Sequence, residues 1–147
     1  MNVAEAGAAA APVPAPRVGV QFDRPDRRYA AEQELAVRYD VAGIEPAAVR
    51  ALERSVVWYT EGKGEEDLGV HRFERLEGAA RLAEALPGGT IAVRLPASPL
   101  SYEGVVVKIR WCVRVRLFFA SGRDFVSEHV FDLGTVPPAR GAVERTA

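Results

Sequence analysis

Cysteine occurs once in this chain, at Cys112, so no internal disulfide can form and nothing demands an oxidising compartment. Histidine is nearly as scarce, with only His71 and His129. Charge of either sign is balanced to a net −1, although 27% of the residues are charged. That balance argues against a dedicated nucleic-acid binder, which carries a clear basic excess. No apolar stretch approaches the roughly 20 residues that cross a bilayer as a helix, so no integral membrane segment is expected. Residues 1–16 form an Ala/Pro tract without the basic start and Leu/Val-rich centre of a secretory signal. Such a tract offers little apolar area to offset ordering entropy, so it reads as a disordered leader, and the cytoplasm is the expected location. The 147 residues suffice for one domain with a real core.

What the chain does have is strict alternation. In residues 105–119 every odd position is apolar: Val105, Val107, Ile109, Trp111, Val113, Val115, Leu117 and Phe119. The even positions include Lys108, Arg110, Arg114 and Arg116. Period-2 patterning puts one set on the core face of a sheet and the other on its outer face. The run would span roughly 50 Å, against about 5–6 residues in an ordinary strand.

The same pattern recurs along the chain. Val18, Val20 and Phe22 mark a short first strand, and a turn holding Pro25 follows. Leu35, Val37, Tyr39 and Val41 share a face within residues 33–41. A third strand runs from Val49 to about Thr60, with Leu52, Val56 and Trp58 inward; Arg54 interrupts that face, so a bulge or an edge position is expected there. Residues 61–68 read as a charged glycine loop, 70–76 as a further strand, and 79–86 as a short helix with Leu82 and Leu86 at i,i+4 spacing. Ile91, Val93 and Leu95 alternate again, and residues 125–133 return after a turn at 120–124. The domain is expected over residues 17–137, ending at Val136-Pro137-Pro138, with a flexible tail over 138–147. About seven strands or more, separated by turn signals, describe an all-β, immunoglobulin-like antiparallel β-sandwich.

Leu95-Pro96-Ala97-Ser98-Pro99-Leu100-Ser101-Tyr102-Glu103-Gly104, leading into the long alternating strand, resembles the arrestin-type sandwich. There a Leu-Pro and a Ser-aromatic-x-Gly stretch precede a strand of the same kind. Tyr29-Ala30-Ala31-Glu32 with the strand after it is similar to that family's opening strands, and Phe131-Asp132-Leu133-Gly134 to its closing strand. The resemblance covers roughly residues 18–136 and points to a bacterial branch of the family. It implies a non-enzymatic interaction or scaffolding module. Arrestins proper have two lobes with a charged network between them; this chain has room for one, so inter-lobe switching and family site residues do not carry over.

The candidate sites follow from the same registers. With the turn at 120–124, Arg116 faces Glu128, Cys112 faces Asp132, and Arg110 and Arg114 lie diagonal to Asp132. Val113 then faces Phe131, Trp111 faces Leu133, and His129 faces Val115 on the apolar side. Cross-strand opposite charges stabilise by a few tenths to about 1 kcal/mol, so much of the basic stripe reads as self-neutralised. Its upstream end has no such partner. Lys108, Arg110 and Arg114 are therefore the candidate partner-binding residues, toward an acidic protein or a phospholipid surface. An open edge strand offers a homo-oligomer as a further outcome.

Other chemistry is thinner. Gly62-Lys63-Gly64 lacks the spacing of a phosphate-binding loop, and Glu65, Glu66, Asp67 and His71 match no calcium or zinc motif, so a solvated hairpin tip is expected. No G-x-S-x-G occurs, Cys112 has no evident base, and no catalytic residue, metal or cofactor is expected. Trp58, Tyr59 and Trp111 raise the alternative of a carbohydrate-binding platform, against which core packing is favoured.

Overall fold

A computed structural model describes residues 15–134 of the chain. The leader expected at 1–16, apart from Ala15 and Pro16, and the tail expected at 138–147 lie outside the described residues. Nine strands form two sheets among them. In chain order they are β1 (Arg17–Phe22), β2 (Arg28–Tyr29), β3 (Glu34–Ala42), β4 (Val49–Gly62), β5 (Leu68–Glu77), β6 (Gly88–Arg94), β7 (Tyr102–Glu103), β8 (Val107–Phe119) and β9 (Asp124–Leu133). A 3-10 turn, Pro46–Ala48, precedes β4, and one helix, α1 (Ala79–Ala85), joins β5 to β6.

The smaller sheet has the order β1-β3-β6 and the larger β2-β9-β8-β4-β5, with β7 paired on β8. All pairings are antiparallel except the short β2–β9 contact. The alternation does what the chain's covalent geometry requires: Leu35, Val37 and Tyr39 of β3 and Trp111, Val113, Val115 and Leu117 of β8 all lie in the core. Phe131 anchors an aromatic group there, edge-on to Tyr29 with centroids 5.7 Å apart and tilted against Phe22 and Trp111 at 6.0 Å. α1 places Leu82 and Ala85 against this core. A seven-residue helix is marginal on its own propensity, so packing holds it.

Three local expectations need correction. Val105 does not join the long strand: it is 96% exposed. Tyr102 pairs with Ile109 and Glu103 with Lys108, so the intervening residues must turn, and Val105 and Val106 become the tip of a tight hairpin. Arg54 is at neither an edge nor a bulge. β4 is flanked by β8 and β5, and its irregularities fall at Val56/Val57 against β5 and Val49/Ala51 against β8. Arg54 stays on the inner side because its charge is paired there, as described below.

The third concerns the β8–β9 register. The hairpin turns through three residues, Ala120 to Gly122, rather than five. The Phe119 N–H donates to the Arg123 carbonyl at 2.9 Å, and Gly122 takes φ +94°, a left-handed conformation that favours glycine in this class of turn. Every pairing therefore shifts by two residues. Arg114, not Arg116, faces Glu128; Cys112 faces Val130, not Asp132; Trp111 faces Phe131, not Leu133; and Val113 faces His129, not Phe131. A shift of two keeps every side chain on its expected face.

Candidate functional site

The outer face of the larger sheet is a set of rows running across the strands. The central row is uncharged: Val70 of β5, Val57 of β4, Cys112 of β8 and Val130 of β9 are successive cross-strand partners. Its middle is closed to solvent, with Val57 and Cys112 at 1% and 0% exposure, while Val70 and Val130 at its ends are open. Leu68, Tyr59 and Arg110 make the next row on one side; Phe73, Ser55, Arg114 and Glu128 make it on the other. Burial pushes the Cys112 thiol up to about 12, with the Glu128 carboxylate adding to the effect. Cys112 is a neutral packing side chain, more deeply buried than its place among arginines implies.

The basic stripe is paired throughout. Arg114 Nη2 lies 2.6 Å from Glu128 Oε2, and Arg116 Nη2 lies 2.6 Å from Asp124 Oδ2. The upstream end, where β9 runs out, is supplied from elsewhere. Arg110 meets Glu61 of β4 and, at 3.1 Å, Glu103 of β7; Lys108 Nζ is 3.7 Å from the same Glu103. Its hydrogen bond to the Glu61 carboxylate holds the Arg110 guanidinium above its ordinary range. Pairs this exposed each contribute roughly 0.2–1 kcal/mol. The structure thus brings Lys108 and Arg110 together through Glu103 and sets Arg114 apart on Glu128. The carboxylates of β4 and β7 were not legible as partners, because residue separations of this kind carry no periodic signal.

On the inner side, Arg54 donates to Glu74 of β5 and, from Nη1, to Tyr39 Oη at 3.2 Å; Tyr39 Oη donates in turn to the Ala85 carbonyl at 3.0 Å. This hydrogen-bonded chain links both sheets and α1. The Arg54 hydrogen bond holds the Glu74 carboxyl below the usual range.

The remaining candidates are dispersed. His71 does not face the acidic loop: its Nε2 is 2.7 Å from the Arg94 carbonyl and its ring stands edge-on to Trp111. No group of three or more His, Cys, Asp or Glu side chains gathers to hold a metal among the described residues. The loop of residues 63–67 caps the β4–β5 hairpin, where Asp67 N–H donates to Thr60 Oγ1 at 2.8 Å. His129 and Ser127 share a 2.6 Å hydrogen bond, and burial, then Arg27, lowers the imidazole's proton affinity. His129 Nε2 is taken up by Ser127, and a hydrolytic triad would need a carboxylate on the other ring nitrogen. Trp111 is fully buried and Trp58 packs inward over Gly69, leaving Tyr59 alone of the three aromatics on the outer face. They form no shared platform. An open depression of about 660 Å³ on the smaller sheet is lined by Gly19, Gln21, Arg38, Asp40, Gly88 and Thr90, without an exposed ring on which a sugar would stack. Among the described residues, no helix is long and apolar enough to cross a membrane.

The two-sheet architecture defines an all-β sandwich, and comparison with known structures refines it. Spo0M, a sporulation control protein from Bacillus subtilis, superposes with a TM-score of 0.54 at 13% identity over 91% of this chain. Its fold is arrestin-like, and the likeness supports the arrestin-like β-sandwich expected from the sequence. The chain spans 56% of the length of that structure, and at this identity the similarity is one of fold. A β-glucosidase from Listeria innocua in complex with gluconolactone aligns over 81% of this chain and 16% of its own, at 15% identity and a TM-score of only 0.35. No family model matches the sequence, and no curated protein matches it.

Proposed function

We propose that this chain is a non-catalytic protein-interaction or scaffolding module, acting in the cytoplasm. The observation that carries the reading is where unsatisfied surface lies. Leu68, Val70 and Phe73 stand more than half exposed along one strand, and Val105 and Val106 project from a hairpin tip. The groups capable of chemistry are meanwhile tied to neighbours or buried: His71 on a backbone carbonyl, His129 on Ser127, Cys112 inside the sheet face. Exposed apolar patches of this kind mark interaction surfaces. Similarity to a sporulation control protein is consistent with a regulatory module.

Lys108, Arg110 and Arg114 belong to the same proposed surface, at its charged margin. Each keeps a quarter to nearly half of its side chain exposed while ion-paired, so a partner meets paired rather than bare charges. Binding that weakens with salt and on reversing Arg110 and Arg114 to Glu is the expected signature, and binding unchanged by either would remove these residues from the surface.

The test has two arms. Generic nitrophenyl ester and glycoside substrates should show no turnover above that of the Ser127→Ala and His129→Ala variants; turnover abolished by either substitution overturns the reading. Immobilised intact protein should retain a defined protein partner from the native proteome, with retention reduced in Phe73→Lys or Val105→Lys. Retention of nothing, or retention indifferent to every surface substitution, also overturns it.

A further inference from the structure

Of the strand edges in the larger sheet, β5 is the long one: β2 contributes two residues, and on the free stretch of β9 the Val130 carbonyl already accepts a hydrogen bond from Arg27. An edge strand exposes a row of unpaired backbone donors and acceptors, and natural proteins usually blunt it with Pro, Lys or charge on the exposed face. β5 has neither Pro nor Lys; Arg75 and Glu77 charge one end of its outer face, and the rest of that face carries Leu68, Val70 and Phe73 at 56%, 56% and 53% exposure.

We infer that β5 pairs antiparallel with β5 of a second copy of this chain, about a two-fold axis through Phe73. This rests on the interaction-module reading and names its partner. The argument is in the register. β5 holds nine ladder positions against β4, with His71 extra at the bulge opposite Val56/Val57, and Phe73 is the midpoint of the nine. A two-fold there pairs the strand with itself from end to end. Phe73 meets Phe73 of the second copy on the outer face. Arg72 meets Glu74 and Glu74 meets Arg72 on the inner side, a self-complementary charge arrangement. Val70 falls opposite Arg75, Leu68 opposite Glu77 and Gly69 opposite Leu76. At none of these positions do like charges oppose each other. Arg72 is exposed and Glu74 retains a third of its side chain in solvent, so both are available at the edge. The result of the β5 pairing is one continuous sheet through both copies, a closed isologous dimer.

Sedimentation of the intact protein across a wide concentration series should show a monomer–dimer equilibrium. Phe73→Lys places two ammonium groups at the axis and should raise the dissociation constant about tenfold or more, with the far-UV spectrum unchanged. Arg72→Glu, which sets two carboxylates opposite each other at each end of the central pair, should weaken it in the same way if Phe73→Lys folds poorly. Thiol placement reads the register directly. Phe73→Cys should give an oxidised, covalently linked dimer, because directly opposite side chains lie about 5 Å apart at Cβ. Val70→Cys should not, since its symmetry mate lies four positions away, roughly 13 Å. Buried Cys112 does not compete. A wild-type protein monomeric throughout, a dimer indifferent to both charge variants, or equal linkage through both thiols overturns the inference. If the chain is monomeric yet Phe73→Lys abolishes retention of a different protein, the second copy is wrong while the interaction-module reading stands.

Discussion

Trp111 Nε1 donates to the Pro99 carbonyl at 2.7 Å, fixing the middle of β8 to the crossing segment that precedes it. The indole is fully buried, touches Phe131 and His71, and closes the end of the core where β9 gives way to β7. Trp111→Phe keeps most of the apolar contact but orphans that carbonyl, and should cost about 1–3 kcal/mol in urea unfolding. Trp111→Ala adds a cavity and should cost about 3–5 kcal/mol. A Trp111→Phe loss close to zero would show that the hydrogen bond contributes nothing.

Gly69 lies opposite Trp58 across the β4–β5 ladder, and a Cβ there would come within 2.0 Å of Trp58 Nε1. Gly69→Val should displace the indole toward solvent, red-shift the tryptophan emission and cost about 1–3 kcal/mol, as overpacking does. Unchanged emission would place the indole elsewhere.

Cys112 should resist thiol reagents in the native protein at pH 8 and react fully once the chain is unfolded in denaturant. Burial alone delays access, and a thiol pushed up to about 12 supplies almost no thiolate at that pH. Rapid native labelling would mean that the central outer row opens.

Acid should destabilise the fold through His129. Burial lowers its native proton affinity below the ordinary value of 6.5, so the unfolded chain binds the proton first. Stability is therefore full above about pH 6.5 and falls as the pH drops below it. His129→Gln should flatten the dependence of the urea midpoint on pH between about 7 and 5. A wild-type profile already flat over that window would contradict the shift.

Arg114 and Glu128 form a half-exposed pair, and a double-mutant cycle with Arg114→Ala and Glu128→Ala should return a coupling of roughly 0.2–1 kcal/mol that shrinks in high salt. The same cycle between Arg116 and Glu128, the pair expected from a five-residue turn, should return close to zero.

Those two cycles separate what local pattern shows from what it hides. The faces of β3, β4, β8 and β9 were readable because alternation is imposed residue by residue by the pleat. α1 was readable from its i,i+4 leucines, and its burial was not. The two-residue strands β2 and β7 left no periodic trace, being too short to show a period, yet β7 supplies the carboxylate that answers both Lys108 and Arg110. Arg54 looked like a fault in an inward face; only Tyr39 and Glu74, from two other strands, make its burial tolerable.

The sequence by itself determined which side chains of the long strand face the core, that the fold is an all-β sandwich, and that no disulfide ties it. Only the tertiary structure decided the register of β8 against β9, the pairing of the upstream cations, and the exposure of β5 as an edge. The physical reason is the period of the strand. Sliding two strands by two residues leaves every side chain on its face, so the pattern cannot record the shift, and a three-residue turn held by Gly122 decides it instead.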